Sequence, residues 1–445
     1  MASRSRVKIE DILEIIDGND SEIEDYEESD SDEDCRHVPK RVRLSYRWRE
    51  KVFQPPNLAF TGAKMEAPAN QNIKTPYQYF QQFVTADMID GMVDNTNLYS
   101  TQKTGKSINT TKKEVEQMMG MYFHMGLVRM SSVRQYWEQG TNYVPVSSVM
   151  PRNRFQQLTT QLHFVNNSSI LDEQKKDKLW KIRPWLDSLR DQCLKVTTEE
   201  RNSIDEMMVQ YRGTTSPIRQ YIKSKPHPWG FKVWAGTSGM LFDFDIYQGG
   251  DGTRSHLGQG RDVVMKLVST LAKNSNYKIY AVNLFTSVPL LEKLLGWELQ
   301  YTGTVRQNRL PNCNIKGEKE LKKEGRGSFD FRVEDTHNIS AVKWFDNRAV
   351  TLLSTHTCVE PLRMAGRWDK TAKKRINVSM PAIVADYNNH MGGITILDSF
   401  LAKYRFRMRS RRWYIYLSWH FLSVALVNSW LMYKRECRLL QLPDQ

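Results

Sequence analysis

The chain has 445 residues and a net charge of +14, unevenly spread: residues 1–35 hold 14 acidic and 3 basic side chains, leaving an excess of 25 positive charges on the rest. With 40% hydrophobic and 11% aromatic residues it has enough apolar side chain for two or three packed domains, which excludes a wholly disordered protein, and the basic excess points to a polyanionic partner. The five cysteines (Cys35, Cys193, Cys313, Cys358, Cys437) are scattered and never form Cys-x-x-Cys, which argues against a disulfide framework or structural zinc and for a reducing compartment.

Residues 1–35 read as a disordered acidic tail, in which Ser29 and Ser31 could be phosphorylated or simply solvated. The N-terminus has no apolar signal-peptide stretch. Lys40-Arg41-Val42-Arg43 is a short cluster of the kind used for nuclear import or phosphate contact, and nuclear residence is expected. A linker containing Pro55-Pro56 runs to about residue 70. Helical periodicity follows to 198, with one stripe through Tyr77, Phe80, Phe83, Met88, Ile89 and Met92. A second runs through Val115, Met118, Met119, Tyr122, Phe123 and Met125.

From about 199 the texture changes to strands at Asn202–Val209, Phe231–Thr237 and Leu241–Tyr247. A helix (Asp262–Leu271), a strand (Lys278–Leu284), a helix (Val288–Leu295) and a strand (Leu299–Arg306) come next. That order describes an α+β three-layer domain. The loop with Gly249, Gly250, Gly252, Gly258 and Gly260 lacks phosphate-loop spacing and reads as a connector. Residues 307–380 are strand-rich, and helices resume near 382. Trp413–Tyr433 is long and apolar enough to span a membrane, yet Ser418, His420, Ser423, Asn428 and Ser429 interrupt it. Apolar residues at three-to-four spacing favour a buried helix.

Two stretches interleave cations with aromatics: Tyr211, Arg212, Arg219, Tyr221, Lys223, Lys225, Trp229, Phe231 and Lys232, and then Lys403 to Arg412 with Tyr404 and Phe406. Guanidinium groups bind phosphate and aromatic faces stack on unpaired bases. Lys223, Lys225, Arg405, Arg407, Arg409 and Arg411 are the expected phosphate contacts. Metal-dependent phosphoryl transfer would need carboxylates converging from separate elements; Asp205 is one candidate.

The words Ser203-Ile204-Asp205-Glu206, Tyr211-Arg212-Gly213, Tyr221 to Pro226, Trp229 to Lys232, Asn283 to Ser287, Gly303 to Arg306 and Asn388 to Asp398 stand in the order of the piggyBac transposase superfamily, which the chain resembles from about 75 to 435. The resemblance implies a ribonuclease-H-like three-layer core (199–306 and 381–404) split by a β-rich insertion (307–380). It also implies a flanking helical dimerisation and DNA-binding region (71–198), beside a tail and linker (1–70) and a C-terminal helical region (405–445). It implies three metal-binding aspartates and a cysteine-rich zinc module after the core. Only the first aspartate, Asp205, is present. Val282 stands at the second position and Thr395 at the third; Asp398 matches another acid of the motif. Past residue 435 the sequence given has only Cys437. The expectation is therefore a transposase-derived DNA-binding protein without DNA cleavage or joining activity and with no cofactor. DNA is the partner, a homodimer is left open, and no membrane is involved. Two alternatives are a nuclease using Mg²⁺ on a rearranged set (Asp205, Asp243 or Asp245, and Asp398) and an interaction scaffold that binds no DNA.

Overall fold

The computed structural model describes residues 46–56, 59–68, 72–223, 225, 227–249, 259–369, 372–406 and 410–442. The acidic tail, Lys40 to Arg43, Gly250 to Gly258, Arg407 and Arg409 lie outside the described residues.

Thr75, Thr85 and Thr111 open α1 (Pro76–Gln81), α2 (Ala86–Thr104) and α3 (Lys112–Leu127) by accepting a backbone N–H three residues on. Gln78 and Glu114 return the bond to the cap N–H of α1 and α3. Helices α4 (Arg152–Gln161) and α5 (Arg183–Leu194) follow, with short helical turns at Val133–Tyr136, Val144–Ser147 and Asp172–Lys175. The Arg154 fork donates to both oxygens of Glu114 at 2.8 and 2.6 Å, tying α4 to α3. The Met-rich stripe of α3 fills the interior, with Met118, Met119, Tyr122 and Met125 buried.

The strands are β1 (Arg201–Gln210), β2 (Trp229–Thr237), β3 (Leu241–Ile246), β4 (Lys278–Ala281), β5 (Gln300–Thr304), β6 (Phe329–Glu334), β7 (Ser340–Phe345) and β8 (Ala349–Ser354). With the two-residue strands Trp48–Arg49 and Gln220–Tyr221 they form one mixed sheet, ordered 48–49, β6, β7, β8, β5, β4, β1, β2, 220–221, with β3 also on β2. β4 runs parallel to β1 and β5, and the other pairs are antiparallel. The expected insertion thus contributes three strands to the main sheet. Its last two, β9 (Arg363–Asp369) and β10 (Lys374–Met380), make a separate hairpin.

Alternation along the strands sends side chains to both faces. Met207, Val209, Phe231, Val233 and Ala235 join the cluster under α9 (Gly393–Tyr404) and α10 (Trp413–Leu439). Ile204, Ile279, Ala281 and Tyr301 join the opposite cluster, under α6 (Gln259–Val268) and α7 (Val288–Leu295). Tyr280, Val342 and Leu352 meet Ile383 and Val384 of α8 (Ala382–His390).

Among the described residues α10 is the one helix long and apolar enough to cross a membrane, and 61% of its apolar window is buried inside the protein. Its Trp419 ring lies 4.0 Å from Tyr122, and Phe421 lies 4.3 Å from Phe244. The Asn428 amide accepts the Leu241 N–H at 3.0 Å and donates to the Leu241 carbonyl at 2.8 Å, acting as one more strand neighbour at the edge of β3. This is a core helix.

The strand expected over 278–284 ends at Ala281. There the chain turns, because Arg309 Nη1 donates to the carbonyls of Asn283, Leu284 and Thr286 at 2.6, 3.0 and 3.2 Å. Thr286 nests against Gly303, where a Cβ would stand 2.4 Å from its hydroxyl.

Candidate functional site

Parallel pairing of β1 with β4 aligns Ile204 with Ala281, so Asp205, in the middle of β1, and Val282, the first residue past β4, each follow directly on this paired position. Helix α9 packs across β1 and β2. Its Gly393 lies so close that a Cβ would meet Ser203 Oγ at 2.5 Å and the Thr237 carbonyl at 2.9 Å. Thr395 and, one turn on, Asp398 lie on the more exposed side of this helix, where the Asp398 carboxylate is still close enough to Asp205 for their charges to interact. The three positions singled out in sequence therefore belong to three adjoining elements.

Their chemistry is not that of a metal site. Val282 is half-buried against the apolar cluster under α6 and α7 and offers no oxygen, and Thr395 offers only a neutral hydroxyl. Asp205 accepts the Glu206 N–H at 2.8 Å. Burial pushes its carboxyl up to about 6; the Glu206 and Asp398 carboxylates add to the rise, and Lys225 with the Glu206 N–H opposes it. Desolvation also pushes Asp398 up to about 6, against Lys225 and Arg405. Although burial favours its neutral form, Glu206 is held below the usual range by Lys232 at 2.6 Å and Lys225 at 3.4 Å. Divalent magnesium takes hard oxygen ligands in near-octahedral geometry, and this set does not fit it.

The rearranged set fares no better. Asp243 is fully buried and held by Arg190 at 2.5 and 3.0 Å; Asp245 pairs with Lys266 at 2.8 Å. Among the described residues no three His, Cys, Asp or Glu side chains are placed to share an ion.

The two basic–aromatic stretches, far apart in sequence, lie together. Tyr211 Oη and Thr215 Oγ1 both donate to the Arg411 carbonyl, at 2.8 and 3.0 Å, and Arg405 Nη2 donates to the Gln210 carbonyl at 3.4 Å. Arg412 Nη1 donates to the Leu162 carbonyl at 3.0 Å, fixing the run to the end of α4. Of the expected phosphate contacts, Lys223 and Arg411 are exposed, as is Arg212. Lys225 is turned to Glu206, and Arg405 is half-buried near Asp398, its guanidinium pKa lowered by burial.

A sequence profile of the family described as Transposase IS4 matches residues 75–430. The chain belongs to the transposase IS4 family. Among relatives of this family member, PiggyBac transposable element-derived protein 3 of Homo sapiens is 33% identical over 393 residues, 86% of this chain and 64% of that protein. PiggyBac transposable element-derived protein 2 of Homo sapiens is 29% identical over 413 residues, 90% of this chain and 68% of that one. A piggyBac transposase solved by cryo-electron microscopy as a synaptic complex with hairpin DNA matches with a TM-score of 0.72 at 24% identity, covering 86% of this chain and 80% of that one. The resemblance read from the sequence words is borne out, and the shared fold is a mixed α/β body around a large mixed sheet.

Sequence reasoning missed the surroundings of Asp205. Lys232 and Lys225 converge on Glu206, and Tyr387 from α8 lies near enough for the Asp205 carboxylate to add to the rise that burial imposes on its hydroxyl. It also missed Asp386, which is reached by Tyr280 Oη at 3.0 Å and His356 Nε2 at 3.2 Å. Burial favours the neutral Asp386, yet its bonds to His356 and His390 hold it well below the usual carboxylate range. No spacing in the sequence announces either cluster.

Proposed function

We propose that this transposase-family chain is a DNA-binding protein that neither cleaves nor joins DNA. The observation that carries the loss of chemistry is Val282 beside Asp205, with Thr395 on the facing helix: two of three positions where the resemblance implies carboxylates have none. DNA binding is supported by the meeting of the two basic stretches on one surface, with Lys223, Arg411 and Arg212 open to solvent. In this reading residues 199–306 and 381–404 keep a ribonuclease-H-like core, 307–380 form its insertion, and 71–198 serve dimerisation and DNA contact. The protein works in the nucleus without a cofactor.

The test is duplex binding by fluorescence anisotropy across a salt series. Each phosphate contact contributes about one unit to the slope of log affinity against log salt. Lys223→Ala and Arg411→Ala should each flatten it by about one unit, on any sequence. Affinity independent of salt, or no binding at all, would overturn the DNA reading. Mg²⁺- or Mn²⁺-dependent nicking that disappears in Asp205→Ala would overturn the loss of chemistry.

A further inference from the structure

Exposed cations alone suit any polyanion, but the edge of the sheet beside them is more selective. Residues 207–242 contain no Asp or Glu; Glu206, just before them, takes Lys225 and Lys232, while Arg212 and Lys223 are exposed. Tyr221 pairs directly across from Trp229, their ring centroids 4.8 Å apart at 53°, and both remain open to solvent, at 54% and 40%. The Arg219 guanidinium lies 3.9 Å from the Trp229 ring centre and is fastened by Nη1 to the Gly213 carbonyl at 3.0 Å. Backbone bonds hold the frame: Tyr211 N–H to the Trp229 carbonyl at 3.1 Å and Ile222 N–H to the Pro228 carbonyl at 2.8 Å. Guanidinium, indole and phenol thus form a preorganised row of flat groups. Arg212 follows Tyr211, whose hydroxyl holds the Arg411 backbone, and Lys223 is two residues past Tyr221.

We infer that this row is a stacking platform for an unpaired nucleobase, and that the chain prefers DNA containing single-stranded bases to intact duplex. In a duplex each base face is covered by its neighbours, so an aromatic row meets only edges and phosphates. An unpaired base offers its whole face, and stacking on a protein ring tolerates any sequence. The flanking cations then carry the phosphates on either side. An acidic protein partner would also satisfy the charge but has no use for the ordered guanidinium–indole–phenol row.

The inference rests on the nucleic-acid reading above, and one experiment separates them. Anisotropy is measured at fixed salt with a labelled duplex, the same duplex carrying a short central gap, the single strand, and poly-glutamate as an acidic polypeptide. The gapped probe should bind at least about five-fold tighter than the duplex, the lower end of what stacking one base contributes. Tyr221→Ser and Trp229→Ser should abolish that preference, leaving the gapped probe bound no tighter than the intact duplex. Tyr221→Phe, which keeps the ring, should retain the preference. Equal affinity of the unaltered chain for gapped and intact duplex, or a preference surviving both serine variants, overturns this inference and leaves duplex binding standing. Tighter binding of poly-glutamate than of the gapped probe also overturns it. Failure to bind any nucleic-acid probe overturns both readings.

Discussion

Replacing Val282 with Asp tests the geometry on which the functional reading depends. Strand register pairs Ile204 with Ala281, which places Asp205 and residue 282 each one step past that pair, and neighbouring strands lie roughly 4.8 Å apart. Two carboxylates about 5 Å apart repel by roughly 3 kcal/mol at an effective dielectric of about 20. Loss of a half-buried valine from the cluster under α6 and α7 adds roughly 1 kcal/mol. Val282→Asp should therefore lower the unfolding free energy by about 3–4 kcal/mol at pH 8, and Val282→Asn, which loses packing without adding charge, by about 1 kcal/mol. The sign with pH follows from Asp205, which already sits raised at about 6. Carboxyls raised in the folded state weaken it fully above their folded values, and the penalty fades as pH falls through them toward the unfolded value. The gap between the Asp and Asn variants should accordingly narrow from pH 8 to pH 5. Mn²⁺ should restore stability to Val282→Asp, and more so when Thr395→Asp is added. Urea melts across pH and metal concentration read all of this. Equal stability of the Asp and Asn variants at pH 8 would show that residue 282 does not stand beside Asp205.

Asp205→Asn should stabilise the protein by about 1–2 kcal/mol at pH 8, because the native carboxyl is raised from 3.8 to about 6. That gain should shrink as pH falls through about 6 and vanish near the unfolded value; a variant less stable than its parent at pH 8 contradicts it. Arg190→Ala strands a fully buried Asp243 and should cost about 3–5 kcal/mol in urea melts, against a smaller loss for Arg190→Lys. Asn428→Ala leaves both backbone groups of Leu241 without their side-chain partners; about 2–4 kcal/mol should be lost, with faster hydrogen exchange at the Leu241 amide.

Much of this was legible in the sequence because local rules and tertiary demands agree. The alternation in β1 and β2 and the apolar faces of α3 and α10 bury what their period says, whereas β3 departs from it: Phe242 and Phe244 fall in opposite clusters across a register shift, and Asp243 between them is fully buried. Asp205, Val282 and Thr395 were singled out from nearly unbroken words, and they fall on β1, just past β4 and on α9. What escaped depends on long-range partners: the turn after Ala281 is enforced by Arg309, and Lys225 is claimed by Glu206. Neither can be seen from the hydrophobicity or charge of its own neighbours. The contact of residues 210–215 with Arg405 and Arg411 was equally hidden, since it rests on a few hydrogen bonds to backbone carbonyls.

The pairing of β8 with β5 governs how this chain can be divided. Leu352 to Ser354 lie against Thr302 to Thr304, so the piece before residue 307 and the piece after it each own one side of a single ladder. A fragment ending at Thr304 would present β5 as a bare edge, and one starting at 307 would present β8; both invite edge-to-edge aggregation. The hairpin tip between Asp369 and Lys374 is the better point for a tag or a protease site, because the ladder behind it is already closed on itself. Homologous recombination of this fold with its relatives should tolerate junctions there and fail between residues 304 and 349, where a swapped strand must match a neighbour that leads, ladder by ladder through β5 and β4, to Asp205.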